Sequence, residues 1–248
     1  MTREEIAEYI DRGACFYVDL FGRAEHMEKV EREHYSFVRP RGGVYGISFV
    51  YDLKLDRLPA GELLEQAREI RALGMPVWVG LTDSDRVFQA CTGRERPEPG
   101  REPGMDDEVY MYTLAEPEEM AGPQVTEAGS QAEFAEWAGV VNGVLSGGRE
   151  DLHPVYHYPL CRDGLLRCYF LRDTEGRAVS AAALAVDGGS VSLEFVATLP
   201  ERRRKGYSGA LCRRAVRDAF GGGADIVTVR AVDGIAAKLY ESVGFERY

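Results

Sequence analysis

The sequence predicts an α/β protein with a mixed sheet, an α+β arrangement in two parts, and three observations carry that prediction. Ser180 to Val186 and Ser190 to Ala197 are apolar segments joined by Asp187-Gly188-Gly189, the pattern of a β-hairpin with an Asp-Gly turn. Val191 to Thr198 alternates apolar residues as a half-buried strand does, and Leu211, Cys212, Ala215, Val216 and Ala219 then fall on one helical face. Before residue 115, helical and strand patterns alternate again.

Taken in order, the chain opens on the charged run Met1 to Ile6, which has no apolar signal-like core. No apolar run is long enough to span a bilayer, so the expectation is a soluble cytoplasmic protein with no membrane partner. Val44 to Tyr51 reads as a strand. Leu63, Leu64, Ala67, Ile70 and Leu73 mark an amphipathic helix ended by Gly74, and Val77 to Leu81 reads as the next strand. Prolines, glycines and charges from Thr92 to Gly104 exclude a packed element and predict a long exposed loop. Glu108 to Leu114 reads as a strand of the first half, and 115–123 is again rich in Pro and Glu. The expected division is therefore an N-terminal α/β domain over 1–115, a linker over 116–122 and a second domain over 123–248.

The second half begins with a strand at Gln124 to Thr126. Gln131 to Leu145 follows as a helix whose stripe of Phe134, Ala138, Val141 and Leu145, with Trp137 beside it, is accounted for by core packing. After the hairpin and the helix of Leu211 to Ala219, Gly221 to Gly223 close that helix, and Asp225 to Arg230 reads as another strand.

The formal net charge is −11, yet Glu201 to Arg217 holds seven basic residues against one acidic. Positive charge is thus focused where a strand gives way to a helix, and Gly206 and Gly209 let main-chain N–H groups approach a ligand. That combination suits a small, multiply phosphorylated ligand and does not suit nucleic acid. Five cysteines without a Cys-x-x-Cys pair point to reduced thiols and no metal site. Cys212, on the apolar face of its helix, reads as a small core residue rather than a nucleophile.

Arg203-Arg204-Lys205-Gly206-Tyr207-Ser208 resembles the Arg/Gln-x-x-Gly-x-Gly/Ala loop of the GCN5-related N-acetyltransferases, the GNAT superfamily, with Ser208 at a position usually Gly or Ala. Val196 to Glu201 is similar to the strand end that precedes that loop in the family. Asp233-Gly234-Ile235-Ala236-Ala237-Lys238-Leu239-Tyr240 through Gly244-Phe245 resembles the family's Asn-x-x-Ala-x-x-Leu-Tyr-x-x-x-Gly-Phe helix, with Asp for Asn. The resemblance covers roughly 123–248 and is specific over the last sixty or so residues. It implies a GNAT fold there. Members usually continue past the Gly-Phe with another strand pair, so the final strand here must be short or supplied from elsewhere. For the first half two readings stay open, a degenerate second GNAT copy, which stands slightly ahead, and an unrelated α/β cap.

The resemblance further implies acetyl-CoA as co-substrate. Arg203, Arg204, Lys205, Gly206, Tyr207, Ser208 and Gly209 would hold its pyrophosphate, with Asp233 at the amide-contact position, where an Asp cannot donate. The backbone of Phe195, Val196, Ala197 and Thr198 would pair with its pantetheine arm. Tyr240 matches the family's general acid, and the N–H near Val196 would polarise the thioester carbonyl. Glu194, two residues before Val196, is the candidate base for an incoming amine, against the competing reading of a solvated or arginine-paired glutamate. The expected function is transfer of an acetyl group to a primary amine of a small molecule or peptide; the alternative is a silent acetyl-CoA sensor or scaffold. A homodimer stays open.

His153 and His157 lie four apart, but Pro154 is expected to prevent the helix that would align them, and no third ligand is evident. Tyr156, His157 and Tyr158 are candidates to line an acceptor pocket, with surface packing the competing explanation for each. Gly147 to Asp151 nearby supplies a mobile, partly acidic loop.

Overall fold

The computed structural model describes residues 1–42, 46–78, 80–92 and 108–248. Val44, Tyr45, Val79 and residues 93–104 of the expected loop lie outside the described residues.

The first element is one the sequence reading missed. Helix α1 (Arg3–Phe21) opens with a capping box in which Thr2 and Glu5 satisfy each other's backbone N–H, and it buries Ile6, Ile10, Ala14, Tyr17, Val18 and Phe21. Strands β1 (Met27–Glu31), β2 (Ser36–Pro40) and β3 (Phe49–Tyr51) form an antiparallel sheet. Helices α2 (Ala60–Ala72) and α3 (Asp83–Thr92) complete this half, and Tyr35, Phe37, Val50, Leu55, Ile70 and Phe88 share one buried cluster. Two expected strands are shorter than anticipated. Among the described residues the first is represented by β3, and the second by a single parallel bridge between Val50 and Val77. An apolar run cannot by itself show how many residues find a pairing partner.

The larger sheet has seven strands, β4 (Val109–Thr113), β5 (Val125–Glu127), β6 (Leu166–Arg172), β7 (Ala178–Asp187), β8 (Ser190–Thr198), β9 (Ile226–Ala231) and β10 (Glu246–Arg247). Their spatial order is β10-β4-β9-β8-β7-β6-β5, with β8–β9 parallel and every other pair antiparallel. Helices α4 (Gln131–Leu145) and α5 (Pro154–Arg162) share a core with α1 on one face. Helices α6 (Tyr207–Gly221) and α7 (Gly234–Glu241) build the other core. Alternation along the strands serves both: Cys168 and Phe170 belong to the first cluster, Tyr169 and Leu171 to the second.

Strand β4, expected to belong to the first half, instead lies between β9 and β10, with Met111 fully buried in the second core. Local patterning identifies a strand but not the sheet that takes it. Both alternatives for the chain's end therefore hold: β10 is two residues long, and its neighbour comes from before the second half. Pro154 also corrects an expectation. It starts α5 rather than preventing it, because a proline in the first helical turn lacks an N–H that would have no intrahelical acceptor there anyway. No described helix is long and apolar enough to cross a membrane.

Candidate active site

The site begins where two strands part. Strand β8 pairs with β9 from Ser190↔Ile226 to Leu193↔Val229, yet β8 runs on to Thr198 and β9 to Ala231. From Glu194 onward the β9-facing edge of β8 is open. On its other edge, Ala183 pairs with Glu194 and Ala181 with Ala197, so Phe195 and Val196 together oppose Ala182. This is a β-bulge, and Phe195 adopts φ 55°, a left-handed conformation that disfavours an aromatic residue. Packing holds it there. Tyr17 and Trp137 each lie 5.5 Å from the Phe195 ring and Phe21 5.9 Å. The Trp137 indole Nε1–H donates to the carbonyl of Ala182 at 2.8 Å, giving the residue opposite the bulge a partner.

The open edge faces a cleft of about 580 Å³, lined by Glu194, Phe195, Val196 and Tyr240 from the second half and by Ile47, Phe49 and Trp78 from the first. Burial pushes the Glu194 carboxyl up to about 7, against the pull of Arg230 and with a smaller upward push from Glu108. Burial likewise drives the Tyr240 phenol well above its ordinary value, aided by Cys212 and Glu194. At neutral pH the cleft therefore holds a carboxyl poised near its titration point and a phenol that keeps its proton.

The basic loop stands apart from this cleft. Gly206 is the cap of α6 with φ 79°, and a Cβ there would meet nothing within 4 Å, so glycine serves the turn's conformation and leaves the space above it open. The cap supplies no side-chain hydrogen bond, which leaves the N–H groups of Tyr207, Ser208 and Gly209 without intrahelical acceptors. Arg203, Arg204 and Lys205 are exposed around them; Arg203 donates to the Thr198 carbonyl at 3.2 Å. Arg202 is committed elsewhere, 2.9 Å from Asp173. Lys205 and Gly206 border a second hollow, about 550 Å³, that runs between α6 and residues 118–125. Strand β8 links loop and cleft: Thr198 Oγ1 lies 2.7 Å from Ser208 Oγ and 2.6 Å from Ser180 Oγ. The open edge, the bare helix start and the surrounding cations suit an extended ligand with a phosphorylated end.

Among the other sequence candidates, Asp233 caps α7, accepting from the Ala236 N–H at 2.7 Å. Tyr156, His157 and Tyr158 do not line the cleft. His157 is buried against Phe21 and His26, Tyr156 stacks on His26 at 4.4 Å, and the Tyr158 hydroxyl reaches the Gly129 carbonyl. Arg149 and Asp151 of the neighbouring loop do line it. Cys212 is fully buried and its thiol is pushed up to about 12, which removes it as a nucleophile. No group of three or more metal-ligating side chains occurs among the described residues.

Sequence reasoning missed Tyr17, Phe49, Trp78, Glu108 and Arg230, all of which line the cleft. Arg230 carries its guanidinium 3.1 Å from the Trp78 ring centroid and donates to Glu108 at 3.1 Å. A signal for that pair existed in charge alone, Glu108 opening one strand pattern and Arg230 closing another. It could be read only once β4 was known to pair with β9.

Residues 166–247 match the family model described as "Acetyltransferase (GNAT) domain". No curated protein matches the chain. Among solved structures, a GCN5-related N-acetyltransferase from Kribbella flavida is 18% identical, with 96% of this chain and 91% of that one covered, at a TM-score of 0.64. A tandem GNAT protein from the clavulanic acid biosynthesis pathway is 13% identical over 96% of this chain and 92% of that one, at a TM-score of 0.58. At such identities the likeness is one of fold, and it extends over both halves. Residues 166–247 thus match the GNAT domain, within a chain whose fold is similar over both halves to these two GNAT structures.

Proposed function

We propose that this protein is an acetyl-CoA-dependent N-acetyltransferase that transfers the acetyl group directly to a primary amine, without a covalent enzyme intermediate. The observation that carries the reading is the convergence of Glu194, Tyr240 and the unpaired edge of β8 on one cleft.

In this reading the N–H groups of Tyr207, Ser208 and Gly209, with Arg203, Arg204 and Lys205, hold the pyrophosphate. The backbone of Phe195 to Thr198 pairs with the pantetheine arm along the open edge, and the Val196 N–H polarises the thioester carbonyl. Asp233 contributes by fixing the start of α7, and hence the place of Tyr240, rather than by touching the ligand.

An acceptor amine in water has a pKa of about 10.4 and must lose a proton before its lone pair can attack. Glu194 takes that proton, directly or through a water. With the carboxyl near 7 the transfer is uphill by about 3 units, against about 6 for an ordinary glutamate, so burial lowers its cost by about 3 kcal/mol. The amine nitrogen then forms the C–N bond, the C–S bond breaks, and the sulfur leaves as a thiolate. Tyr240 supplies the proton that makes it a thiol, and the proton that the new amide nitrogen sheds returns, through water, to the tyrosine oxygen. Burial keeps the phenol protonated until then, and a thiolate buried beside it is raised in basicity by the same desolvation.

The test is thiol release from acetyl-CoA across a panel of amines, alongside calorimetric binding of acetyl-CoA. Amine-dependent release lost in Glu194→Gln and Tyr240→Phe supports the enzyme. Binding without release from any amine would leave the sensor reading in its place.

A further inference from the structure

Resting on that reading, we infer that the cleft selects an acceptor with a single amine on an apolar body of roughly aromatic size, and that it discriminates against polyamines and aminoglycosides.

The charges lining the cleft are Glu108, Arg149, Asp151, Glu194 and Arg230. Glu108 is held by Arg230 at 3.1 Å, and Asp151 has Arg149 at 3.5 Å. Only Glu194 forms no ion pair among the described residues. Among the described residues the cleft therefore has one carboxylate outside an ion pair to offer a cation, at the position where the reacting nitrogen must sit. A second or third ammonium would find its counter-charge already matched by an arginine, and a desolvated charge without a partner is strongly disfavoured. The chain's overall charge of −11 attracts any cation from a distance, but it does not select among them at this depth.

The walls point the same way. Ile47, Phe49 and Trp78 approach from the first half, with Val141 and Leu145 from α4. The mouth is apolar too: Leu145 is 54% exposed and Val232 58%, and Ile235, three residues after Val232, is 82% exposed. These are among the few large apolar side chains that the described fold leaves in water, and two of them line this one cleft. Exposed apolar surface gathered at a site entrance is what an apolar ligand would cover.

The experiment compares 2-phenylethylamine, spermidine and kanamycin as acceptors, by thiol release and by calorimetric binding to the CoA-saturated protein. The expected result is a kcat/KM for phenylethylamine at least tenfold above either polycation. Leu145→Asp, which changes an exposed residue and should fold, adds a carboxylate at the mouth and should narrow that ratio tenfold or more. Preferred turnover of spermidine or kanamycin overturns the inference while leaving the acetyltransferase reading intact. If no amine releases thiol, the acetyltransferase reading fails and the binding arm decides the inference separately. Phenylethylamine bound tenfold more tightly than spermidine upholds it; equal, weaker or no binding overturns it.

Discussion

Replacing Glu194 with glutamine separates what this residue does for catalysis from what it costs the fold. The carboxyl is raised from 4.5 to about 7 by burial, so between those pH values the folded protein binds a proton that the unfolded chain has released. Stability contributed by the neutral carboxyl is complete below about 4.5 and is lost as pH rises through about 7. The shift of about 2.5 units corresponds to about 3 kcal/mol at most, since the cleft is open to water on one side. Glu194→Gln keeps the shape and removes the titration. It should therefore be more stable than the wild type at pH 8, by up to about 3 kcal/mol in urea unfolding, and should lose that advantage at pH 4.5. Over the same range its kcat/KM should fall by about 10²- to 10⁴-fold, the usual contribution of a general base, with loss of the acidic limb near pH 7. A variant with wild-type turnover and an unchanged pH profile would remove Glu194 from the chemistry. A variant whose stability relative to the wild type is the same at pH 8 as at pH 4.5 would show that the carboxyl is not desolvated.

Three further outcomes follow from the same geometry. Tyr240→Phe should lower turnover by about 10²-fold or more at nearly unchanged acetyl-CoA affinity, read by steady-state kinetics and calorimetry together. Trp137→Phe keeps most of the ring packing but deprives the Ala182 carbonyl of its donor, and should cost about 1–3 kcal/mol in denaturant unfolding; a change within error would show that the carbonyl finds another partner. The His157 imidazole is held down at about 4, chiefly by burial and then by His26. It stays neutral in the fold while the unfolded chain takes up a proton, so its contribution is lost as pH falls from about 6.5 towards 4. His157→Gln should flatten the acid limb of the stability profile across that window, and an unaltered limb would place the dependence elsewhere.

What the sequence disclosed was whatever short spacings encode. The hairpin turn at Asp187-Gly188-Gly189 and helices α4 and α6 are each written within fifteen residues or so, and each stands where the pattern put it. The resemblance of 203–208 to the GNAT loop rests on the same kind of short spacing. Pairings between distant segments were not. Strand β4 reads the same whichever sheet takes it, and α1, though amphipathic and capped, was masked by its charged opening residues. The bulge at Phe195 is equally silent, because its cause is tertiary: three aromatic rings and the Trp137 indole on the same stretch of backbone. The first-half wall of the cleft shares this opacity, since Trp78 meets Arg230 only across the two halves.

The most direct test of the account is a crystal structure of the protein with bound acetyl-CoA. The pyrophosphate should accept hydrogen bonds from the N–H groups between Gly206 and Gly209, the pantetheine should lie along the open edge of β8, and the sulfur should fall within hydrogen-bonding reach of the Tyr240 hydroxyl. A cofactor seated elsewhere, or a sulfur remote from that hydroxyl, would contradict it.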